Sequence, residues 1–405
     1  MSGWAPSPDR VATPRVLFLV DRTTAFDALQ TFSRDHAEAF RAFGIAADVV
    51  DVTGGPELEA FLDLLTHEKP RAIIGFGGIG ADLQLAGRLL YDIIEVPYLG
   101  LMTDSPVYHP MRHAFASPWH ALLFPDPDFL AASIALSPPR ALRGMYRYGM
   151  AAPDAPPKPL RDRGVGLVYG KSGGQFVRER ETWAQLPPAF RRVIEDVLAV
   201  ALHSSRVPLW DLVKERIAAD GIEQGAEPTL AFSFIVRTLD VFIRAHRATR
   251  FLEALLPFPE ALVVGGDWSH VDTRGARARF VPTCGMQELL PLFDDARVVA
   301  SLQPLMRSAP HERVIHGMQR GAVVVTDALD PLTTELGPHR FRPFDWTDDL
   351  GDVIADTLRE PDRWQRAASE AAAFARADRS IARGARTVVT ALEWVEALNA
   401  VSFRG

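Results

Sequence analysis

Residues 302–327 read LQPLMRSAPHERVIHGMQRGAVVVTD, a proline-bracketed polar loop followed by a helical segment and an apolar run. Apolar residues recur at helical spacing in the middle of this stretch and predict a helix of about three turns. Ser308 is suited to cap that helix, Pro310 to its first turn, and Gly321 to a left-handed residue at its end. The β-branched run at 322–326 is typical of a strand buried on both faces of a parallel sheet. Loop, helix and strand in this order predict an α/β domain.

Polar residues lie at the start of the predicted helix, namely His311, Glu312 and Arg313. A helix N-terminus carries unpaired N–H groups and partial positive charge, so it suits a phosphate group. Open α/β sheets bind ligands outside the carboxyl ends of their strands, where this loop is expected to lie. The same residues also suit an ordinary exposed helix start, because helix starts attract polar residues in general.

The chain has 405 residues, 47% hydrophobic and 23% charged, which is usual for a soluble globular protein and long enough for two domains. Its 44 Lys and Arg against 51 Asp and Glu give a net charge of −7, so no overall basic field attracts nucleic acid. A basic cluster at 140–147 leaves peripheral membrane contact open. The single cysteine, Cys284, excludes an internal disulfide. No apolar run is long enough for a signal peptide or a membrane span, and we expect a cytoplasmic protein.

Short apolar runs alternate with helical segments in both halves of the chain, which predicts two parallel, doubly wound sheets. The predicted strands are 16–20, 47–52, 71–75, 98–101, 120–124, 164–169, 261–265, 278–281, 296–300, 322–326 and an edge strand at 340–344. Predicted helices cover 23–43, 56–65, 79–94, most of 183–256, 286–293 and much of 346–398, with 329–336 as a loop. The proline-rich segment 151–163 predicts a linker between domains 1–150 and 164–345, and 346–405 is expected to form C-terminal helices.

Further motifs are less specific. The loop GKSGG at 170–174 can cradle a phosphate with its N–H groups and Lys171, although the first glycine of a P-loop is missing and a plain connection fits equally. The glycines at 75–80 only loosely resemble a dinucleotide fingerprint. Asp126 and Asp128 could hold a divalent metal or simply end a strand. Basic residues in the helical run 228–256 are expected to form a solvated face; they are Arg237, Arg244, Arg247 and Arg250.

The second half of the chain carries characteristic segments in a fixed order and spacing: GGDW at 265–268, FVPTCGMQELLPLF at 280–293, ARVVASLQP at 296–304 and HERVIHGMQRGAVVVTD at 311–327. Together they resemble the C-terminal half of GT-B fold glycosyltransferases, especially the branch with spore-maturation-type members of glycosyltransferase family 1. The resemblance covers residues 164–345. The first half is similar only in its architecture and in the loop MTDSP at 102–106.

This resemblance implies two Rossmann-like domains that face each other across a cleft, with a nucleotide-sugar donor bound mainly by the second. Gly285 and Met286 would lie near the base, the segment 304–313 near ribose and diphosphate, and Arg313 or Lys171 would offset phosphate charge. The donor-binding residues implied in this way are Gly170, Lys171, Ser172, Gly285, Met286, Ser308, His311, Glu312, Arg313 and His316. A helix N-terminus and basic side chains can stabilise a departing nucleotide diphosphate in place of a metal, so no metal or other cofactor is expected.

One position departs from the family pattern. The family often has a glutamate near the middle of the helix, where it meets the donor ribose, and this chain has His316 there. Glu312 lies one turn earlier on the same face and could take over that contact. Alternatively, donor binding is altered or lost, which keeps a non-catalytic member of the fold open.

On the acceptor side, an inverting transferase needs a general base, usually a carboxylate or histidine on a loop of the first domain. Asp104 is the first candidate, followed by Asp21 and His109, and each also suits a turn or a helix cap. A retaining enzyme would need no base at that place. The predicted function is a hexosyltransferase-like, metal-independent enzyme that moves a sugar from a nucleotide-diphosphate-sugar to a protein or glycan acceptor. The alternatives are a GT-B-fold scaffold protein and a nucleotide-sugar epimerase.

Overall fold

The computed structural model describes the chain except for residues 1–3, 115–116, 137–141, 175, 205–206, 222–229, 304–305, 328 and 403–405. The start of the predicted loop, Pro304, and the first residues of the basic cluster at 140–147 lie outside the described residues. The chain divides into two compact units, one formed by Met1–Ala151 with Arg379–Gly405 and the other by Ala152–Asp378. Each unit is described by itself below.

The first unit is built on a parallel sheet. Its strands are β1 Val11–Ala12, β2 Val16–Val20, β3 Ala47–Asp51, β4 Glu68–Lys69, β5 Ala72–Phe76, β6 Gln84–Leu85, β7 Arg88–Leu89, β8 Tyr98–Leu101, β9 His120–Phe124 and β10 Leu142–Met145. Its helices are α1 Ala28–Ala42, α2 Gly55–His67, α3 Leu90–Ile94, α4 Pro110–Ala114, α5 Pro127–Leu136 and, at the end of the chain, α15 Ile381–Ser402. In the described part of this unit the main sheet has six strands in the order β10-β9-β8-β5-β2-β3.

The second unit repeats this design with a different strand order. Its strands are β11 Val165–Gly170, β12 Ala261–Val264, β13 Arg279–Val281, β14 Ala296–Ala300, β15 Val323–Asp327 and β16 Arg342–Phe344. Its helices are α6 Phe176–Ala184, α7 Pro188–Ala201, α8 Leu209–Ala219, α9 Leu230–Leu255, α10 Met286–Asp294, α11 Glu312–Gln319, α12 Asp330–Leu336, α13 Leu350–Arg359 and α14 Pro361–Asp378. Within the described residues, a six-stranded sheet has the order β13-β12-β11-β14-β15-β16.

Both faces of each sheet are covered because side chains of a strand point alternately to the two faces. In β11, Leu167 and Tyr169 pack against Phe251 of α9, whereas Val168 packs with Phe293 of α10 on the opposite face. All neighbouring strands of this sheet run parallel. In the first unit the neighbouring strands of the main sheet are also parallel. The predicted doubly wound architecture is therefore confirmed.

The helix predicted over residues 79–94 is wrong. Gly77, Gly78 and Gly80 have φ values of 63°, 70° and 86°, and such left-handed residues do not continue a right-handed helix. The hydroxyl of Tyr98 donates to the carbonyl of Ile79 at 2.8 Å and fixes this turn. The hairpin of β6 and β7 follows, and only the short α3 is helical.

The loop predicted over residues 329–336 is also wrong, because α12 occupies most of it. Leu332 and Leu336 lie one helical turn apart and are fully buried with Phe341. A proline in the first turn does not interrupt the helix, since the N–H it lacks would have no helical partner there. The sequence of this helix contains two apolar residues, Leu332 and Leu336, among polar residues and a proline that are common in turns.

No helix in the described residues is long and apolar enough to cross a membrane.

Candidate functional site

The strand order of the second sheet defines a crevice. The connections lead from β11 through β12 to β13 on one side and then return to β14 on the other side of β11. Parallel sheets bind ligands outside the carboxyl ends of the strands at such a switch point. Gly170 ends β11 and Ala300 ends β14, so the segments after these two residues form the walls of the crevice.

A pocket of about 310 Å³ lies at this switch point. Its lining residues come from the end of β11, from α9, from the segment after β14 and from the start of α11. They are Lys171, Arg244, Arg247, Leu302, Gln303, His311 and Arg313. Four cationic side chains line the pocket, and two carboxylates lie near them: Asp240 is 3.3 Å from Arg244, and Glu312 is 3.7 Å from Arg313. The pocket is suited to an anion.

The ammonium of Lys171 is strongly perturbed in this pocket. Burial lowers its pKa to about 7, and the nearby charges of Arg244 and Arg313 act in the same direction. Its side chain has no hydrogen bond or ion pair with any described residue. A desolvated ammonium among other cations is unfavourable unless an anion joins it. The surroundings of Lys171 therefore suit a negatively charged ligand.

The glycines after Lys171 bring this loop against α9. A Cβ atom on Gly174 would stand 2.6 Å from the Cβ of Ala245, and one on Gly173 would stand 2.2 Å from the carbonyl oxygen of Asp267. Only glycine fits such close approaches. The sequence GKSGG is therefore explained by packing, which places Lys171 beside the basic residues of α9.

The predicted solvated basic face of α9 is wrong for most of its residues. Arg247 is only 7% exposed, its Nη2 donates to the carbonyl of Ala201 at 2.8 Å, and its guanidinium lies 5.0 Å from the ring centre of Trp346. Arg250 donates to the carbonyl of Trp346 at 2.7 Å. Of the four arginines, Arg237 is exposed. The sequence signal that could have shown this is Asp240, one turn before Arg244 on a face that continues to buried Phe251.

His311 connects the two charged residues that follow it. Its Nδ1 lies 2.8 Å from Oε2 of Glu312, and its Nε2 lies 3.2 Å from Nη2 of Arg313. A neutral ring protonated on Nδ1 satisfies both, since it donates to Glu312 and accepts from Arg313. Nδ1 also lies 3.4 Å from the backbone N–H of Arg313, but the shorter contact decides the tautomer. Burial lowers the pKa of His311, which agrees with the neutral form.

The same contacts fix Glu312 and Arg313. Burial acts to raise the pKa of Glu312, but His311 and Arg313 outweigh it and bring the pKa to about 2. Arg313 Nη1 donates to the carbonyl of Gly170, so the start of α11 is joined to the end of β11. The structure thus brings Gly170, Lys171, His311, Glu312 and Arg313 together at the end of β11.

The expected start of this helix is wrong. His311 caps α11 and Glu312 is its first residue, whereas Ser308 and Pro310 precede the helix. The structure gives eight helical residues, fewer than three full turns. Gly321 has the left-handed φ of 68° that was predicted. The helix begins later than predicted, because Glu312, not Ser308, is followed by an unbroken run of helical residues.

His316 lies inside α11 and is only 2% exposed. Its Nδ1 is 3.2 Å from Nη1 of Arg320, and its Nε2 has no partner among the described residues. Burial, followed by the charge of Arg320, lowers the pKa of His316 to about 3, so the ring is neutral. Unlike a glutamate, it brings no negative charge toward the pocket.

The remaining donor-site candidates lie after β12 and β13 or on the β11 loop. Oγ of Ser172 is 3.3 Å from Oγ1 of Thr283, which joins these segments. Gly285 caps α10 and its N–H lies 3.3 Å from Oε2 of Glu288. Met286 is buried. Ser172 therefore lies beside the segment after β13, and Gly285 and Met286 begin a helix that packs against β11 and β14 through Leu289 and Phe293.

The candidate bases lie in the first unit, at or after the carboxyl ends of its strands. Asp21 follows β2, and its Oδ1 accepts from the N–H of Thr23 at 2.8 Å, the contact of a turn residue. Asp104 and His109 follow β8 and are exposed. Oδ2 of Asp104 accepts from Thr103 Oγ1 at 3.4 Å, and the exposed carboxylate is accessible to solvent.

The described residues contain no group of three or more His, Cys, Asp or Glu side chains that could hold a metal ion. In the Asp-Pro-Asp sequence, Oδ1 of Asp126 accepts from the N–H of Asp128 at 2.9 Å, and Asp126 is fully buried at the start of α5. This arrangement is that of a residue before a helix.

No protein-family model and no curated protein matches this sequence. Solved structures do match its fold. An alpha-glucosyltransferase bound to UDP-glucose and DNA containing an abasic site has a TM-score of 0.57 at 10% identity, with 93% of this chain and 98% of that chain covered. The sucrose-phosphate synthase of Thermosynechococcus elongatus has a TM-score of 0.54 at 12% identity, with coverage of 95% and 100%. The Anabaena protein HepE bound to UDP-glucose reaches 0.50 at 13% identity, with 94% and 99% covered.

These likenesses span nearly the whole of this chain and of each matched protein. The fold is therefore that of the GT-B glycosyltransferases, with two Rossmann-like domains, as the resemblance implied. At such low identities the likeness defines the fold and leaves the activity to be argued from the site.

Proposed function

We propose that this protein is a glycosyltransferase that takes a sugar from a nucleotide-diphosphate donor held in the pocket between β11 and β14. The observation that carries the proposal is Lys171, a buried lysine whose pKa is lowered to about 7 and whose side chain has no partner among the described residues. A diphosphate would supply the missing negative charge. Its position at the switch point of a GT-B fold is where such a ligand is expected.

The same cations support a role in the chemical step. When the bond between sugar and diphosphate breaks, negative charge develops on the leaving phosphate, and preorganised cations stabilise it more in the transition state than in the bound donor. Lys171, Arg313 and Arg247 line the pocket where this charge would develop. We propose that they supply this stabilisation without a metal.

For the acceptor, we propose Asp104 as the general base of an inverting reaction. Its carboxylate is exposed at the carboxyl end of the first sheet, whereas the side chain of Asp21 is occupied in a turn. A base must reach the acceptor hydroxyl, so an accessible carboxylate is favoured over one that is already bonded. The proposed acceptor is a protein or glycan hydroxyl group.

Calorimetry with the purified protein tests the proposal. UDP is tried first, because several proteins of this fold bind UDP or UDP-glucose, followed by GDP, dTDP and CMP, each with and without magnesium. We expect one nucleoside diphosphate to bind and to raise the melting temperature, because a ligand that binds only the native state stabilises it. Lys171→Met should weaken that binding by about 10-fold or more, since hydrogen bonds to charged groups contribute about 1.5–3 kcal/mol.

Lys214→Met is the matched control, because Lys214 is exposed on α8 and is absent from the pocket lining. Nucleotide binding that is equal in wild type, Lys171→Met and Lys214→Met would remove the pocket from the proposal. Hydrolysis of the matching nucleotide sugar in the absence of acceptor would then separate an enzyme from a binding protein.

The neutral, buried His316 favours a second candidate, a GT-B-fold protein that binds a nucleotide without transferring its sugar. In that case a nucleoside diphosphate binds at the pocket, but no donor sugar is released under any acceptor condition. Release of sugar at a rate that Asp104→Asn or Lys171→Met lowers would exclude this candidate.

A further inference from the structure

A second pocket adjoins the cationic pocket in the same unit and encloses, together with the solvent space at its mouth, about 420 Å³. The two pockets share Arg247 and Gln303 in their linings. The other walls of the second pocket come from α7, α8 and α9 and from the segments after β14 and β15, with Leu209, Leu212 and Ile243 on the helical side. A ligand bound at Lys171 could therefore extend past Arg247 into this pocket.

The two ends of the second pocket differ in polarity. Asp327 at the sheet end is already bonded, because its Oδ1 accepts from the N–H of Gln303 at 2.9 Å and its Oδ2 from Nε1 of Trp346 at 3.0 Å. The helices and the segment between α7 and α8 present mainly aliphatic side chains, including Val207 and Leu212, whereas Ser204 and Arg307 add polar groups to the lining. A fully hydroxylated sugar placed against this wall would leave hydroxyl groups without hydrogen-bond partners, which is costly when they are buried.

Arg247 lies at the junction of the two pockets and has one N–H group without a hydrogen-bond partner among the described residues. It is 93% buried, and its Nε has no hydrogen-bond partner among the described residues, while Nη2 is bonded to the carbonyl of Ala201. Such buried donors are normally paired. A phosphate or sugar oxygen at the junction of the two pockets would meet this need.

The sheet order decides which end of a donor would enter. The diphosphate pocket lies between β11 and β14, with Ser172 and Thr283 on the β12 side. When the nucleoside lies on that side, the group on the other end of the diphosphate lies over β14 and β15. The second pocket, lined by Gln303 and Asp327, lies over these two strands.

We propose that this second pocket holds the glycosyl group of the donor and selects a sugar with an exposed methyl group, of the 6-deoxy or N-acetyl class, over a fully hydroxylated hexose. This inference rests on the proposed function, because the glycosyl group reaches the pocket only when the diphosphate occupies the Lys171 site. Helices α7–α9, which form the aliphatic wall, are the source of the selectivity.

Paired donors test the inference. Calorimetry compares UDP with UDP-glucose and UDP-6-deoxyglucose, GDP with GDP-mannose and GDP-6-deoxymannose, and dTDP with dTDP-glucose and dTDP-6-deoxyglucose, and UDP-N-acetylglucosamine is tested as a further methyl-bearing donor. Within the pair whose nucleotide binds, the methyl-bearing donor should bind about 10-fold more tightly than the hydroxylated one, the lower end of the range for one methyl-sized group in an apolar pocket. Leu212→Trp, which fills the pocket with an indole, should abolish this preference and leave affinity for the free nucleoside diphosphate unchanged.

Ala218→Trp places the same indole on the exposed face of α8 and should keep the preference. Val207→Ser is a second variant that removes aliphatic surface at a position 43% exposed, so it perturbs folding little and should reduce the preference. Two results would overturn the inference while the proposed function stands. One is equal affinity of wild type for both donors of a pair. The other is that Leu212→Trp weakens binding of the free nucleotide as much as binding of the nucleotide sugars. Binding of no nucleoside diphosphate at all would refute the proposed function, and the inference with it.

Discussion

Replacing Lys171 by methionine should make the free protein more stable and its ligand complex weaker. Methionine keeps most of the aliphatic volume and removes the charge. The pKa of Lys171 falls from 10.5 to about 7 in the folded chain, which corresponds to roughly 4–5 kcal/mol for carrying its charge in the folded state. Because the ammonium lines an open pocket, solvent screens part of this cost, and about 2–4 kcal/mol is expected.

The destabilisation caused by Lys171 should depend on pH, because its pKa is lower in the folded chain than in the unfolded chain. Since the folded-state pKa of Lys171 lies below the unfolded-state value, the unfolded chain binds more protons between pH 7 and 10.5. The destabilisation is complete below about pH 7 and fades as the pH rises toward 10.5. Lys171→Met should therefore exceed wild type in free energy of unfolding at pH 6 and match it near pH 10.

Urea denaturation of both proteins at pH 6 to 10 measures this difference, and Lys214→Met controls for the loss of an exposed lysine. Calorimetry at pH 8 in buffers of different ionisation enthalpy should also show that wild type takes up a proton when it binds a nucleoside diphosphate, because the ligand favours the charged lysine. A stability difference that does not change with pH, or binding without proton uptake, would refute the reasoning about Lys171.

Other residues of the two sites give separate expectations. Arg313→Ala should weaken nucleoside diphosphate binding by roughly 1.5–3 kcal/mol; unchanged affinity in a folded variant, measured by calorimetry, would remove Arg313 from the site. His316, with a pKa of about 3 when folded and 6.5 as its ordinary value, should cost stability as the pH falls from 6.5 toward 3, because the unfolded chain then binds the extra proton. His316→Gln should flatten that part of the acid denaturation profile, and an unchanged slope would contradict the burial argument. Asp104→Asn should lower kcat by roughly 10²–10⁴ with KM little changed; full activity would assign the base to another residue.

The strands were largely predictable because parallel strands covered on both faces read as unbroken apolar runs. The prediction of 98–101, 120–124 and 296–300 matches β8, β9 and β14 residue for residue. The failure at 79–94 has a physical cause, since the apolar residues there have helical spacing but three glycines in left-handed conformation turn the chain first. The spacing of apolar residues within 79–94 does not reveal that Tyr98, which lies in β8, fixes this turn by donating a hydrogen bond to the carbonyl of Ile79.

The candidate site was predictable where it is local in sequence. His311, Glu312 and Arg313 are consecutive, and their place before a buried strand indicated a ligand contact. Arg244 and Arg247 could not be assigned in the same way, because arginines at helical spacing are usual on a solvated face. Their burial depends on the packing of α9 against the loop at Gly174 and on Trp346, about a hundred residues later in the chain.

The helices between β11 and β12 contribute residues to both pockets. Neighbouring parallel strands need a crossover of about a dozen residues, which a single helix supplies, whereas here α6, α7, α8 and α9 lie between them. Of these four helices, α9 contributes Phe251 and Leu255 to the core against the sheet. The carbonyl of Ala201 in α7 binds Arg247 of α9, and α8 contributes Leu212 to the second pocket. Since the sheet does not require α7 and α8, their side chains are free to determine which ligand fits beside the cationic pocket, and exchanging them should change ligand preference before it changes the fold.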